Sequence, residues 1–449
     1  MSSTLAALTA WMPRQRWYTT TDGIPRLRIL ADRPFSGATA PWGRENPPQV
    51  ARHSHQHVDS DDPGTQVRIL IVVDDAPQRP IVYQVPLVMR AAADVTGMAS
   101  FIGVTDAGRA LVDGPHDPAY TAALWRQLES GDEATAEVLS GEQSNTSIIF
   151  RPDHGTPVIC KVFRRLHSGL NPEIELQSAL AAAGSAHVPA VVGSVDGQWH
   201  SATTDDVESG SLAFAQEFFP GVADAWRVAL SAASAGADFT DESDALGRAT
   251  AEVHLDLARL LPTPPADDDA RAALAGSWRR RLAIALTEVP QLARHRHAIE
   301  RTYRAAMATE WPALQRVHGD FHLGQVLQVP GRGWVLLDFE GEPMRPIDER
   351  RAPDLALRDI AGMLRSFDYV AGSLAQADTR ARAGADAWAA AARDAFLRGY
   401  RAASGAAASG PLLDALELDK AVYESLYEAR HRPAWLAIPL AAISRLVDR

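Results

Sequence analysis

The stretch VHGDFHLGQVL, residues 317–327, interrupts an apolar run with His318, Gly319, Asp320, His322 and Gln325. Two imidazoles, a carboxylate and an amide at that spacing fit three chemistries: a metal cluster, a hydrolytic site, or the catalytic loop of a phosphotransferase. A catalytic zinc site needs about three protein ligands, and no companion His/Cys cluster lies nearby in the sequence. A serine hydrolase wants a G-x-S-x-G elbow, which the chain lacks. Phosphoryl transfer asks mainly for positioning and charge neutralisation.

The segment that follows supplies both. VLQV, PGRG and WVLLDFEG read as a hairpin, two apolar runs joined by a Pro/Gly turn. With Pro330 to Gly333 as the turn, Val329 pairs with Trp334 and Gln325 falls opposite Asp338. Opposed Cβ atoms lie about 4.5–5.5 Å apart, so an amide oxygen and a carboxylate there can share one ion. Hard oxygen donors with room for phosphates and water suit Mg²⁺. A one-residue slip would send the two side chains to opposite faces. Asp320, just before them, is placed to orient a hydroxyl for attack on a γ-phosphate and accept its proton.

A cation for the phosphates is the next requirement. In PVICKVF, strand alternation sets Ile159, Lys161 and Phe163 on one face and Val158, Cys160 and Val162 on the other. A lysine between two large apolar residues suits the floor of a nucleotide site; an edge lysine in solvent is the bland alternative. Glu173 and Glu175 on the following helix are candidates to hold it, with Glu175 favoured. Both are also simply favourable charges in a first helical turn.

Elements that could position these groups follow from pattern. Up to about Val104 the chain alternates strand-like runs (RLRIL, VRILIVV, IVYQVPLVM) with one long polar loop. His53, His55 and His57 in that loop have a spacing that could bind a transition metal; no role is assigned to them. Residues 135–220 read as strands with one helix, NPEIELQSALAAAG, capped by Asn171 with Pro172 in its first turn. Pro220-Gly221 is a breaker suited to a hinge, and an Ala- and Leu-rich helical region runs from there to residue 449. The expectation is an α+β chain: a cap subdomain (1–105), an intermediate subdomain (106–219) and a helical lobe (220–449).

Composition removes other classes. With 449 residues, 46% hydrophobic and 22% charged, the chain has globular character. A net charge of -12 argues against a broad nucleic-acid or anionic-membrane surface. Cys160 is the one cysteine, which excludes an internal disulfide and fits a reducing compartment. MSSTLAALTAWMPRQRW lacks a basic region before its short apolar run, so it is a poor signal peptide. No apolar stretch of about 18 residues spans a membrane, and a cytoplasmic protein, monomeric on its own, is the expectation.

HGDFHLGQ followed by DFEGEP resembles the catalytic loop and metal segment of the aminoglycoside phosphotransferase and protein kinase-like superfamily. EQSNTSIIF, ICKVFRRLHSGLNPEIEL, LLDFEGEPMRPIDERRAPDLALRDIAGMLRSFDY, ELDKAVYESLYEARHRPAWLAIPL and RQRWY resemble its maltokinase branch, over most of residues 14–449. The resemblance implies a bilobal kinase-like fold with an extra N-terminal cap. It also implies ATP-dependent phosphorylation of maltose at its anomeric hydroxyl in a route to α-glucan or glycogen. Carried over, Asp320 is the base, Gln325 and Asp338 are Mg²⁺ ligands, and Lys161 is the phosphate lysine. Ser144, Asn145, Thr146 and Ser147 form a phosphate-proximal turn, and the strand end Gln216, Glu217 and Phe218 holds the adenine through backbone groups. The chain departs from the wider superfamily in lacking a G-x-G-x-x-G loop, with only Gly141 and a Ser/Asn/Thr turn there, and in placing Gln325 where many members have Asn. The resemblance also makes a trehalose-isomerising enzyme the natural candidate for a partner.

For a sugar acceptor, the last long helix offers Tyr423, Glu424, Tyr427 and Glu428, then Arg430, His431 and Trp435, a pattern that periodicity alone explains as an amphipathic helix. The resemblance assigns these residues, with Asp320 and Glu340, to the sugar site. Asp359 reads as a helix cap or a brace for the loop, and His318 and His322 as scaffolding. Two other readings stay open: a kinase of a cationic acceptor such as glucosamine or an aminoglycoside, which predicts a strongly acidic pocket, and a pseudokinase-like binding subunit.

Overall fold

The structure is a computed structural model that describes residues 3–19, 23–35, 64–95, 98–128, 133–139, 144–343, 345–378, 380 and 382–448. His53, His55, His57 and Gly141 lie outside the described residues. The chain forms two compact units. Unit 1 comprises Met1–Ile174 and Ala190–Pro220, and unit 2 comprises Glu175–Pro189 and Gly221–Arg449.

Unit 1 is built on two antiparallel sheets. β1 (Leu27–Pro34), β2 (Gln66–Asp74), β3 (Ile81–Ala91), β4 (Phe101–Val104) and β5 (Arg109–Asp113) run in the order β1-β2-β3-β5-β4. The first sheet therefore continues past residue 105, because Arg109–Asp113 pairs with both β3 and β4. β6 (Ala134–Val138), β7 (Asn145–Pro152), β8 (Val158–Phe163), β9 (Arg165–Leu166), β10 (Val191–His200) and β11 (Val207–Glu217) follow. The second sheet has the order β10-β11-β8-β7-β6, while β9 joins β3. Helices α1 (Ser3–Trp11) and α2 (Pro118–Leu128) belong to this unit, and Tyr120, Leu124 and Trp125 of α2 enter the core of Ile148, Phe150, Val162 and Phe214. Burial of such apolar surface, at about 25 cal/mol per Å², is what holds the sheets together.

α3 (Pro172–Ala182) starts where Asn171 Oδ1 accepts from the Glu173 amide at 2.8 Å, an N-cap with proline in the first turn. The boundary between units falls inside this helix, after Ile174.

Unit 2 holds the helices α4 (Ala225–Ala235), α5 (Thr240–Leu260), α6 (Asp268–Glu288), α7 (Arg296–Met307), α8 (Ile347–Arg351), α9 (Leu357–Ala377), α10 (Arg382–Ser404), α11 (Pro411–His431) and α12 (Ala437–Val447). Between α7 and α8 lies the hairpin β12 (Val326–Val329) and β13 (Gly333–Leu336). One cluster, including Phe321, Leu323, Leu336, Phe339, Ile360, Phe367 and Val422, ties the loop, hairpin and helices together. Gly362 lets α9 approach the loop: a Cβ there would lie 2.5 Å from the Phe321 carbonyl oxygen.

The hairpin register differs from the sequence expectation by one residue. Val329 pairs with Gly333 and Gln328 with Trp334, so the turn is Pro330-Gly331-Arg332. Gly331 and Gly333 have φ of 75° and 87°, and glycine reaches that region without strain. Gln325 thus lies level with Leu337, whose amide donates to its carbonyl at 2.9 Å.

Candidate active site

The polar loop is held from beneath by one carboxylate. Asp359, fully buried on α9, accepts from the His318 amide at 2.8 Å and the Gly319 amide at 2.9 Å. It also bonds His254 Nε2 of α5 at 3.0 Å, and His254 Nδ1 in turn meets Tyr400 OH of α10 at 3.0 Å. Burial alone would raise the Asp359 carboxyl, but the bonds and charge of His254, the His318 side chain and the Gly319 amide hold it below the usual range. Gly319 has φ 85°, the left-handed turn that aims Asp320 out of the loop.

His318 is buried and His322 half-buried. His318 Nε2 donates to the Leu337 carbonyl at 2.7 Å and its ring packs against Phe321 and Phe339. His322 Nδ1 accepts from the Gly324 amide at 3.0 Å, and burial, outweighing the nearby Asp320 carboxylate, lowers its pKa.

Gln325 Nε2 donates to Asp338 Oδ2 at 2.8 Å. The shifted register would have parted them had Asp338 stayed in the strand. Instead β13 ends at Leu336, and Asp338 takes φ 65°, a left-handed conformation that Asp tolerates better than most residues. That twist, rather than cross-strand opposition, returns the carboxylate to Gln325. Turning the amide over would set its oxygen, in place of its nitrogen, beside the Asp338 carboxylate, a pair of hard-oxygen donors that fits Mg²⁺.

In unit 1, Lys161 Nζ bonds Glu173 Oε1 at 2.7 Å, the carboxylate side chain being fully buried. The partner is therefore Glu173 and not Glu175. The N-cap turn at Asn171 sets Glu173 on the face of α3 toward β8, whereas Glu175, two residues on, belongs to unit 2 and pairs with Arg316. Asn145, Thr146 and Ser147 are in strand β7 rather than in a turn, opposite Phe163, Val162 and Lys161; only Ser144 stands outside the strand. Thr146 Oγ1 accepts from Arg164 Nε at 2.8 Å, while Ser147 Oγ, cross-strand from Lys161, is buried with no partner. The amides of Glu217 and Phe218 donate to the Ala190 and Pro157 carbonyls at 2.9 and 2.8 Å, so neither is left to donate to an adenine.

On the other side of Asp320, Lys420 of α11 gathers the charges. Its Nζ lies 3.1 Å from Asp320 Oδ1 and 2.5 Å from Glu342 Oε1. Burial pushes the Glu342 carboxyl up, but Lys420, Arg358 and Arg281 outweigh it and hold the group at about 2. Tyr423 lies beside this cluster, with Lys420 Nζ 5.3 Å and the Arg281 guanidinium 5.6 Å from its ring centre.

The other expected sugar residues separate. Glu424 is buried against Arg365 at 2.7 Å, and Glu428 accepts from Tyr369 OH at 2.9 Å and from Arg432 at 2.6 Å. Tyr427 and His431 stack at 4.6 Å, and Trp435 stacks on Tyr369 at 6.2 Å. Arg430 turns away to pair with exposed Glu288 on α6 at 2.6 Å. Glu340 lies near Arg350, which donates to its carbonyl at 3.2 Å.

Residues 135–393, more than half of the chain, match the model described as the phosphotransferase enzyme family. The chain belongs to that family. Residues 38–117 match the maltokinase N-terminal cap domain. A glucosamine kinase of Mycolicibacterium smegmatis is 28% identical over 73% of this chain and 83% of that protein. Another, from Streptacidiphilus jiangxiensis, is 33% identical over 45% of this chain, which spans about half (48%) of its length. A solved glucosamine kinase in complex with glucosamine, ADP and inorganic phosphate superimposes with a TM-score of 0.65 over 98% of both chains at 23% identity. That likeness establishes the kinase-like α+β fold, with a β-sheet unit and a helical unit.

Lys420, paired with Asp320 and Glu342, is not among the residues that the sequence pattern singled out. DKAVYE looks like a solvated helix face, yet Lys420 stands three residues before Tyr423 and four before Glu424, on one side of the helix. A lone lysine amid buried Leu416, Leu418, Ala421 and Val422 was the available signal.

Proposed function

We propose that the protein transfers the γ-phosphoryl group of ATP to the anomeric hydroxyl of maltose, with Mg²⁺, giving maltose 1-phosphate and ADP. The observation that carries the reading is the loop itself: Asp320 stands out of a backbone turn that Asp359 fixes through two amides, next to the Gln325–Asp338 donor pair. The match of residues 38–117 to a maltokinase cap domain supports maltose as the acceptor.

In this reading Asp320 accepts the proton of the attacking hydroxyl as the oxygen–phosphorus bond forms and the bond to the bridging oxygen of ADP breaks. Lys161, oriented by Glu173, neutralises phosphate charge. Gln325 and Asp338 would hold Mg²⁺, which supplies charge neutralisation at the transferred group when bound. Tyr423 and Glu342 face the acceptor. The product, an activated sugar phosphate, suits α-glucan synthesis, and the chain acts in the cytoplasm, beside a trehalose-isomerising enzyme where the two associate.

The relatives named glucosamine kinase favour a second reading, an amino-sugar acceptor. ADP release measured with maltose and with glucosamine separates them: the proposal requires the higher kcat/KM with maltose, and ADP release driven by glucosamine alone would replace it.

A further inference from the structure

We propose that Lys420 is the specificity-determining residue that selects neutral sugars over amino sugars, by occupying beside the base Asp320 the place that an acceptor ammonium would need. The proposal rests on the sugar-kinase reading and adds to it the charge class of the acceptor and the residue that sets it.

An ammonium is recognised by carboxylates free to receive it. Among the described residues, five carboxylates on the Lys420 side of Asp320, Asp320 itself included, each have a cation within ion-pair distance. Asp320 and Glu342 share Lys420; Asp419 pairs with Arg281; Asp354 with Arg358 at 2.6 Å and Arg345 at 3.3 Å; Glu424 with Arg365. On the Lys420 side of Asp320 the named charges thus form paired networks, with no carboxylate among them left over for a cationic acceptor. Breaking the part-buried Lys420–Asp320 pair to seat a substrate ammonium would leave Lys420 close to a like charge where water screens it less than at the open surface.

A neutral sugar meets none of that. Its hydroxyls can donate to Asp320 and Glu342 and accept from the same Lys420 ammonium, since a hydroxyl is donor and acceptor at once. Both Glu342 and Asp320 favour the charged form of Lys420 over the burial that opposes it, so the cation is present at any working pH. Specificity here arises from repulsion of the wrong substrate as much as attraction of the right one.

Glucose and glucosamine differ at one ring position by a hydroxyl against an ammonium, and so report charge alone. With the full-length enzyme, at a pH where the amine is protonated, kcat/KM for glucose should exceed that for glucosamine by about tenfold or more. Lys420→Met combined with Glu342→Gln removes the buried pair together and should move that ratio toward glucosamine by about tenfold, whereas Lys420→Arg keeps the charge and the wild-type ratio. Wild-type enzyme that uses glucosamine as well as glucose overturns the proposal without any variant. A ratio unmoved in the folded double variant, checked by thermal melting, overturns it too. If maltose is phosphorylated while the ratio stays fixed, the role of Lys420 falls alone. If maltose is not a substrate yet the ratio shifts with Lys420, the maltose reading falls and this one stands.

Discussion

In the proposed reading Asp320 is the base, and Asp359 holds the turn from which it projects, so the two should fail differently when changed. Asp320→Asn keeps the shape but not the basicity, so turnover should drop by about 10²–10⁴ while nucleotide affinity in a titration stays near wild type. Asp359→Ala strands two loop amides and the His254 ring, and should lower both kcat and stability, the latter by about 1–3 kcal/mol in chemical denaturation. Glu342 gives a pH signature. Its carboxyl is held at about 2 against an ordinary 4.5; a depressed pKa contributes stability that is fully present above the ordinary value and lost as pH falls toward about 2. Melting temperature should therefore fall across that acid window, and Glu342→Gln should remove that part of the fall.

At the scale of elements, the hairpin shows where pattern reading succeeds and where it stops. Two apolar runs around PGRG are enough to specify β12 and β13, yet a Pro/Gly turn admits three-residue and four-residue forms, and alternation alone does not choose between them. Asp338 still meets Gln325 because the strand ends early and its backbone turns left-handed, a conformation that no periodicity announces. Lys161 was legible from strand alternation, but its partner was decided by a cap turn that sets Glu173 and not Glu175 beside it. Lys420 was hidden for the opposite reason, a charged residue on a helix whose burial only packing reveals. The contact of α9 with the loop gives the test at this scale: Gly362→Ala forces a Cβ against the Phe321 carbonyl oxygen. We expect a destabilisation of about 1–3 kcal/mol in denaturant unfolding, with kcat reduced because Phe321 follows Asp320.

For the molecule as a whole, the fold class was legible because it rests on long, regular signals: short strands with turn residues early and Ala- and Leu-rich helices late; the polar loop and its hairpin stood out for the same reason, as one polar stretch between apolar runs. Helix-to-helix assembly of the acceptor side was not, since it depends on which charges find partners. Among the described residues no helix is long and apolar enough to cross a membrane. If Gln325 and Asp338 serve Mg²⁺ only during turnover, chelation should abolish activity while leaving the melting temperature nearly unchanged, because β12, β13 and the buried cluster around Phe339 hold without it. The central claim is transfer of phosphate to the anomeric oxygen of maltose, and NMR of the product formed from ATP and maltose tests it most directly. The account predicts phosphorus coupling to the proton and carbon at the reducing-end C1; coupling at any other position, or no phosphorylated maltose under conditions where the enzyme turns over another acceptor, would contradict it.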